Sequence, residues 1–237
     1  MAIKAVFFDW FNTLARYEPA REELAGQALR EYGFNVALEK IRQGISVADK
    51  FWFEENTRSP VRTRSVAEQS TVYARHQQII LSEAGIDLSD KPDKLGKLIA
   101  RMQTLSANMH FVLFDDVIPT LKGIKERKLI IGVLTNLDRD MMPLCRELGL
   151  EPYVDVIVTS GEIGVDKPDA RIFLAALKRA KVAALEAILV GDQYKNDVLG
   201  ARGVGIKPLL IDRYNLSEEI ADCPRLHALT EVVDYLK

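Results

Sequence analysis

What most restricts this chain is a set of short apolar segments, each ending on a polar residue. Ile3-Lys-Ala-Val-Phe-Phe8 runs into Asp9, Leu129–Leu134 into Thr135, and Ala187–Val190 into Gly191-Asp192. Val154–Val158 and Lys207–Ile211 have the same texture. Short runs rich in β-branched and aromatic residues, apolar on both faces, suit buried parallel strands. Between them lie helical patterns: Val117–Arg127, one near Arg139–Glu147, one opening after Pro168 in a first-turn position, and one closing at Gly203 as a C-cap. Strands alternating with helices predict an α/β fold, a doubly wound parallel sheet of Rossmann-like type.

The stretch from Glu18 to Ala107 reads differently. Arg21–Tyr32, Leu38–Glu55, Val66–Ala84 and Lys94–Ala107 carry apolar residues at helical spacing among charges, and Pro60 separates the second from the third. The expected organisation is a parallel-sheet core, residues 1–15 and 112–237, with an α-helical domain inserted at 16–111. Phe51-Trp52-Phe53 diverge by about 100° per residue on a helix and read as core of that insertion, with one ring available to a cleft. Arg58, Arg62 and Arg64 read as a solvated loop, with anion recognition as the alternative. Cys145 reads as inert core.

Composition excludes several classes. With 32 basic and 34 acidic residues the formal charge is −2, which speaks against non-specific nucleic-acid or acidic-membrane binding. Two cysteines make no disulfide framework, so a reducing, cytoplasmic setting is expected. The opening residues read as neither signal peptide nor membrane span. His76, His110 and His227 show no metal-ligand spacing, and Gly200, Gly203 and Gly205 do not open a helix after a strand, so they form no dinucleotide fingerprint.

Ligands of open parallel sheets bind beyond the carboxyl ends of the strands. There the sequence puts Asp9, Thr135-Asn136, the loop bearing Lys167, and Asp192 with Asp197. Clustered carboxylates repel unless a cation or lysine joins them. Mg²⁺ favours a few carboxylates plus phosphate oxygens, and an aspartate nucleophile can split a hard displacement into two easier steps.

These residues resemble the haloacid dehalogenase superfamily in four ordered motifs: Asp9-x-x-x-Thr13-Leu14, Thr135-Asn136, Lys167-Pro168-Asp169 and Gly191-Asp192-x-x-x-x-Asp197. The resemblance spans the chain, the insertion standing where the superfamily has its type-one helical cap. It implies that Asp9 is the nucleophile, that Thr135, Asn136 and Lys167 bind the transferring group, and that Mg²⁺ is held by Asp9, the backbone carbonyl of Phe11 and Asp192. Asp197 would complete the metal shell or orient Lys167. Thr135-Asn136-x-Asp138-Arg139 and Gly191-Asp192-x-Tyr194 are similar to the members of the human HDHD-three type.

One position departs. Phosphatases of the superfamily resemble Asp-x-Asp, whose second carboxylate protonates the leaving group; here that residue is Phe11. Such a proton transfer is typically worth 10²–10⁴-fold. Dehalogenases resemble Asp-x-Tyr, need no acid and lack the metal-binding aspartate. Phosphonoacetaldehyde hydrolases keep the metal, carry Asp-Trp as at Asp9-Trp10, and use a Schiff-base lysine, for which Lys50 is a candidate position. The resemblance therefore implies, first, a Mg²⁺-dependent phosphatase of a small phosphorylated metabolite acting through Asp9. Carbon–halogen or carbon–phosphorus cleavage comes second, and a weak or non-catalytic binding protein third.

Overall fold

The computed structural model describes residues 2–217 and 220–236. Contacts divide the chain into two compact units, Met1–Arg16 with Val112–Lys237, and Tyr17–Phe111.

The first unit is built on a six-stranded sheet. Its strands are β1 (Ala5–Phe8), β4 (Ile130–Thr135), β5 (Val156–Thr159), β6 (Ala187–Gly191), β7 (Lys207–Ile211) and the short β8 (Arg225–Leu226), in the order β5-β4-β1-β6-β7-β8. These strands pair in parallel, with Phe8 opposite Val133 on one side and Val190 on the other. The helices are α5 (Val117–Glu126), α6 (Met142–Glu147), α7 (Ser160–Ile163), α8 (Ala170–Ala180) and α9 (Gly200–Gly203). On one face, Phe7, Leu134, Val158 and Leu189 pack with Ile172, Phe173 and Ala176 of α8 and Ala201 of α9. Because β1 lies between β4 and β6, the chain reverses direction across the sheet at the end of β1, which opens a crevice there.

Two local expectations are corrected. Pro168 is not in the first turn of α8: Asp169 is the N-cap, its carboxylate accepting from Arg171 N at 2.9 Å. Gly203 does not cap the helix after β6. The left-handed residue is Gly205 (φ 83°), and Ile206 N donates to Ala201 O in a Schellman closure. That helix also begins as a π-helical turn, Tyr194–Leu199.

The second unit holds α1 (Arg21–Glu31), α2 (Leu38–Arg58), α3 (Val66–Glu83) and α4 (Pro92–Ser106), with a 3₁₀ turn at Val61–Thr63. Leu29, Ile41, Ile80, Leu81, Leu98 and Met102 form its own buried core. Ser65 and Glu68 start α3 with a reciprocal capping box, and Pro92 opens α4. A two-stranded ribbon, β2 (Ala15–Glu18) with β3 (His110–Leu113), went unread in the sequence. The Arg-rich loop is not simply solvated. Arg64 donates to the Glu55 carboxylate at 2.6 Å and to the carbonyls of Glu55 and Ser59, both at 2.7 Å. Lys50 is exposed on α2. No helix among the described residues is long and apolar enough to cross a membrane.

Candidate active site

The crevice at the end of β1 gathers side chains from four segments. Asp9 follows β1 directly and is anchored through its backbone, Asp9 N donating to Val190 O at 2.9 Å. The chain then turns back, with Leu14 N and Ala15 N both donating to Trp10 O. Thr135 is the last residue of β4, and Asp192 follows β6. Gly191 has to be glycine, because a Cβ there would lie 2.3 Å from Cγ of Asp197. That close approach lets the Asp197 carboxylate lie against the end of β6.

Lys167 is the centre of the arrangement. It is buried (4% exposed), and its Nζ donates to Asp9 Oδ1 at 2.5 Å, Asp197 Oδ1 at 2.6 Å and Leu134 O at 3.0 Å. All three ammonium protons are used. Burial pulls its pKa down, but Asp197 and Asp9 outweigh burial and hold the ammonium above its ordinary range. Burial pushes Asp9 up to about 6, against the pull of Lys167 and with the help of Asp197. Asp192 is raised well above the usual carboxylate range by burial and by the charges of Asp9 and Asp197, the hydrogen bond from Asn12 and the Lys167 charge opposing.

The remaining predicted residues separate by role. The Thr135 hydroxyl oxygen accepts from Leu137 N at 3.2 Å. Asn136 was expected at the substrate, but its side chain is used otherwise. Its Oδ1 accepts from Lys167 N at 2.7 Å and its Nδ2 donates to Lys167 O at 3.2 Å, a two-point clamp on the lysine backbone. Asp197 accepts from Lys167 through Oδ1 and from Gln193 N through Oδ2 at 3.0 Å, contacts that hold its carboxylate against the lysine. Sequence reasoning missed Asn12, which donates to Asp192 Oδ2 at 3.2 Å. The available signal was an asparagine in a turn, a residue that tolerates the left-handed conformation.

One oxygen from each of Asp9, Asp192 and Asp197 lies within 4.8 Å of the others. Asp192 Oδ1 is buried and has no hydrogen-bond partner among the described residues. An all-oxygen donor set with an unpaired buried carboxylate oxygen fits a small hard cation such as Mg²⁺.

A buried aspartate held by a lysine at the switch point of a parallel sheet, with further carboxylates beside it, defines an α/β protein equipped for displacement chemistry on an anionic or polar group. The chain belongs to the haloacid dehalogenase-like hydrolases, a family that matches residues 3–205. A ribulose-1,5-bisphosphate 5-phosphatase of Halopiger xanaduensis is 30% identical over 211 residues, 88% of this chain and 84% of that one. The haloacid dehalogenase-like hydrolase domain-containing protein 3 of Mus musculus is 41% identical over 92 residues, 39% of this chain and 37% of its own. Among solved structures, a 2-haloacid dehalogenase of Pseudomonas syringae pv. Tomato DC3000 is 26% identical with a TM-score of 0.56, over 99% of this chain and 98% of its own.

Proposed function

We propose that this hydrolase is a Mg²⁺-dependent phosphatase of small phosphorylated metabolites, acting through an aspartyl-phosphate at Asp9. One observation carries the reading: three carboxylates face a single ammonium, and Asp192 Oδ1 is buried without a partner. Such a site is short of positive charge until a cation enters. Carbon–halogen cleavage through Asp9 and Lys167 alone gives this third carboxylate no work.

In this reading Asp9, Asp192 and the Phe11 carbonyl hold the ion, which when bound neutralises phosphoryl oxygens. The chain does the rest. Asp9, as its carboxylate, attacks phosphorus, and the bond from phosphorus to the leaving oxygen breaks. Lys167 orients Asp9 and faces the charge that develops, while Thr135 donates its hydroxyl proton in a hydrogen bond to the transferring group. Asn136 and Asp197 fix Lys167 at its two ends. Water then hydrolyses the aspartyl-phosphate, giving phosphate and restoring Asp9. The helical unit serves as the cap that selects the substrate. The relative named as a bisphosphate phosphatase makes phosphorylated sugars the first compounds to try.

The test is a panel of phosphorylated metabolites and 2-haloacids, each with and without Mg²⁺. Metal-dependent phosphate release is expected, and Asp9→Asn should abolish it with an unchanged circular-dichroism spectrum. Metal-independent halide release would replace the phosphatase reading with carbon–halogen cleavage. Silence from a folded protein across the panel would leave a binding role.

A further inference from the structure

Asn12 stands three residues after Asp9 with φ 57°, in the left-handed region. Its N–H donates to Ala15 O at 2.7 Å, which closes the tight turn after β1. If the turn needed only that backbone shape, glycine would supply it at no steric cost. The side chain does something more. Its Nδ2 reaches across 180 sequence positions to Asp192 Oδ2, at 3.2 Å.

The two oxygens of Asp192 are thereby made unequal. Oδ2 is held by the amide, whereas Oδ1 is buried and makes no hydrogen bond among the described residues. The donor is also electrically neutral. A lysine or arginine in its place would hold the carboxylate equally well but would cancel the charge that attracts a cation. An amide fixes the carboxylate and leaves its charge intact. The nucleophile and this amide belong to one turn, so the geometry of Asp9 and that of Asp192 are tied by a single residue.

We infer that Asn12 is a positioning residue for the divalent cation: it fixes the carboxylate of Asp192 by one oxygen and leaves the other to the metal. The inference rests on the Mg²⁺ reading above and adds a residue to it. Groups that hold a ligand from behind typically change metal affinity by 10–100-fold when removed.

Two substitutions separate the side chain from the backbone. Asn12→Gly keeps the left-handed turn and deletes the amide; Asn12→Ala deletes the amide and also strains the turn. Each full-length protein is titrated with Mg²⁺ by calorimetry, and its melting temperature is measured without metal. The expected result is that both variants bind Mg²⁺ at least about 10-fold more weakly than wild type, with Asn12→Gly melting close to wild type in the absence of metal. If Asn12→Gly binds Mg²⁺ as tightly as wild type while Asn12→Ala does not, the residue serves the backbone alone and the inference fails. If neither variant differs from wild type, it fails as well. If wild type itself binds no Mg²⁺, the metal reading falls, and this inference falls with it; that result is distinct because it shows in the unsubstituted protein.

Discussion

At the scale of single residues, the proposed phosphatase reading makes Phe11 decisive for which esters the site can open. If Asp9 attacks as proposed, the leaving oxygen receives no proton from position 11, where the side chain is a phenyl ring. Acyl phosphates and nitrophenyl phosphate expel stabilised anions and should react, whereas alkyl phosphates must expel an alkoxide and should be slow. Phe11→Asp should then speed alkyl phosphates by up to about 10²–10⁴-fold and activated ones much less. Phe11 is half-buried, so the variant's melting curve is read before its kinetics. Equal effects on both substrate types in a folded variant would show that another group already moves the proton. Asp138, exposed in the loop after β4, is one such group. The residues carrying charge at the strand ends were legible, because a buried carboxylate or lysine needs partners and the motif spacing supplied them. Asn12 and Asn136 were not legible in their roles. An amide can donate or accept to almost anything, and its partners here lie 180 and 31 positions away.

Secondary-structure elements are tied together in the helical unit by one carboxylate. Asp49 on α2 takes both Arg21 nitrogens from α1, at 2.7 and 2.9 Å, and lies 3.1 Å from His76 Nε2 on α3. Burial alone would push Asp49 up. The Arg21 charge, with hydrogen bonds from His76 and Arg21, outweighs burial and holds it down to about 2. A depressed carboxylate stabilises the fold above its ordinary range, and the stabilisation is lost as pH falls from about 4 towards 2. The size is on the order of 2 kcal/mol. Urea unfolding at pH 6 should therefore show Asp49→Asn less stable than wild type, and the gap should close as pH approaches 2. A constant gap across that range would mean that Asp49 contributes shape rather than charge. The longer helices and the five longer strands of the sheet were legible from periodicity, since each buries an apolar stripe or a wholly apolar run, whereas the short α7 and β8 were not. The ends of the longer elements were not legible either. Asp169 caps α8 and leaves Pro168 outside the first turn, and Gly205 took the left-handed position from Gly203, because those choices depend on which backbone groups lie in reach. The β2–β3 ribbon has too little apolar alternation to announce itself, and its strands are only partly buried.

Across the whole molecule, the two units differ in how the chain builds them. The sheet unit is made of two separated segments, and β1 from the first lies between β4 and β6 of the second. It cannot be closed without both. The helical unit is one continuous segment with a core of its own: Leu29 of α1, Ile41 of α2, Ile80 and Leu81 of α3, and Leu98 and Met102 of α4. Its ends are held to each other, because Tyr17 and Phe111 stack with ring centroids 4.5 Å apart. A segment of roughly 100 residues that buries its own core and brings its ends together is of a size that folds alone. Residues 17–111 expressed as a separate chain should therefore give a helical circular-dichroism spectrum and a cooperative thermal melt. Tyr17→Ala should lower that melting temperature, because the stacked pair contributes about 0.5–1.5 kcal/mol beyond the area it buries. The complementary deletion, which joins residue 16 to residue 112, removes no strand from the six-stranded sheet and should also melt cooperatively. A disordered 17–111 fragment would mean that the insertion depends on the sheet unit for its fold, and that its internal core is too small to offset its chain entropy.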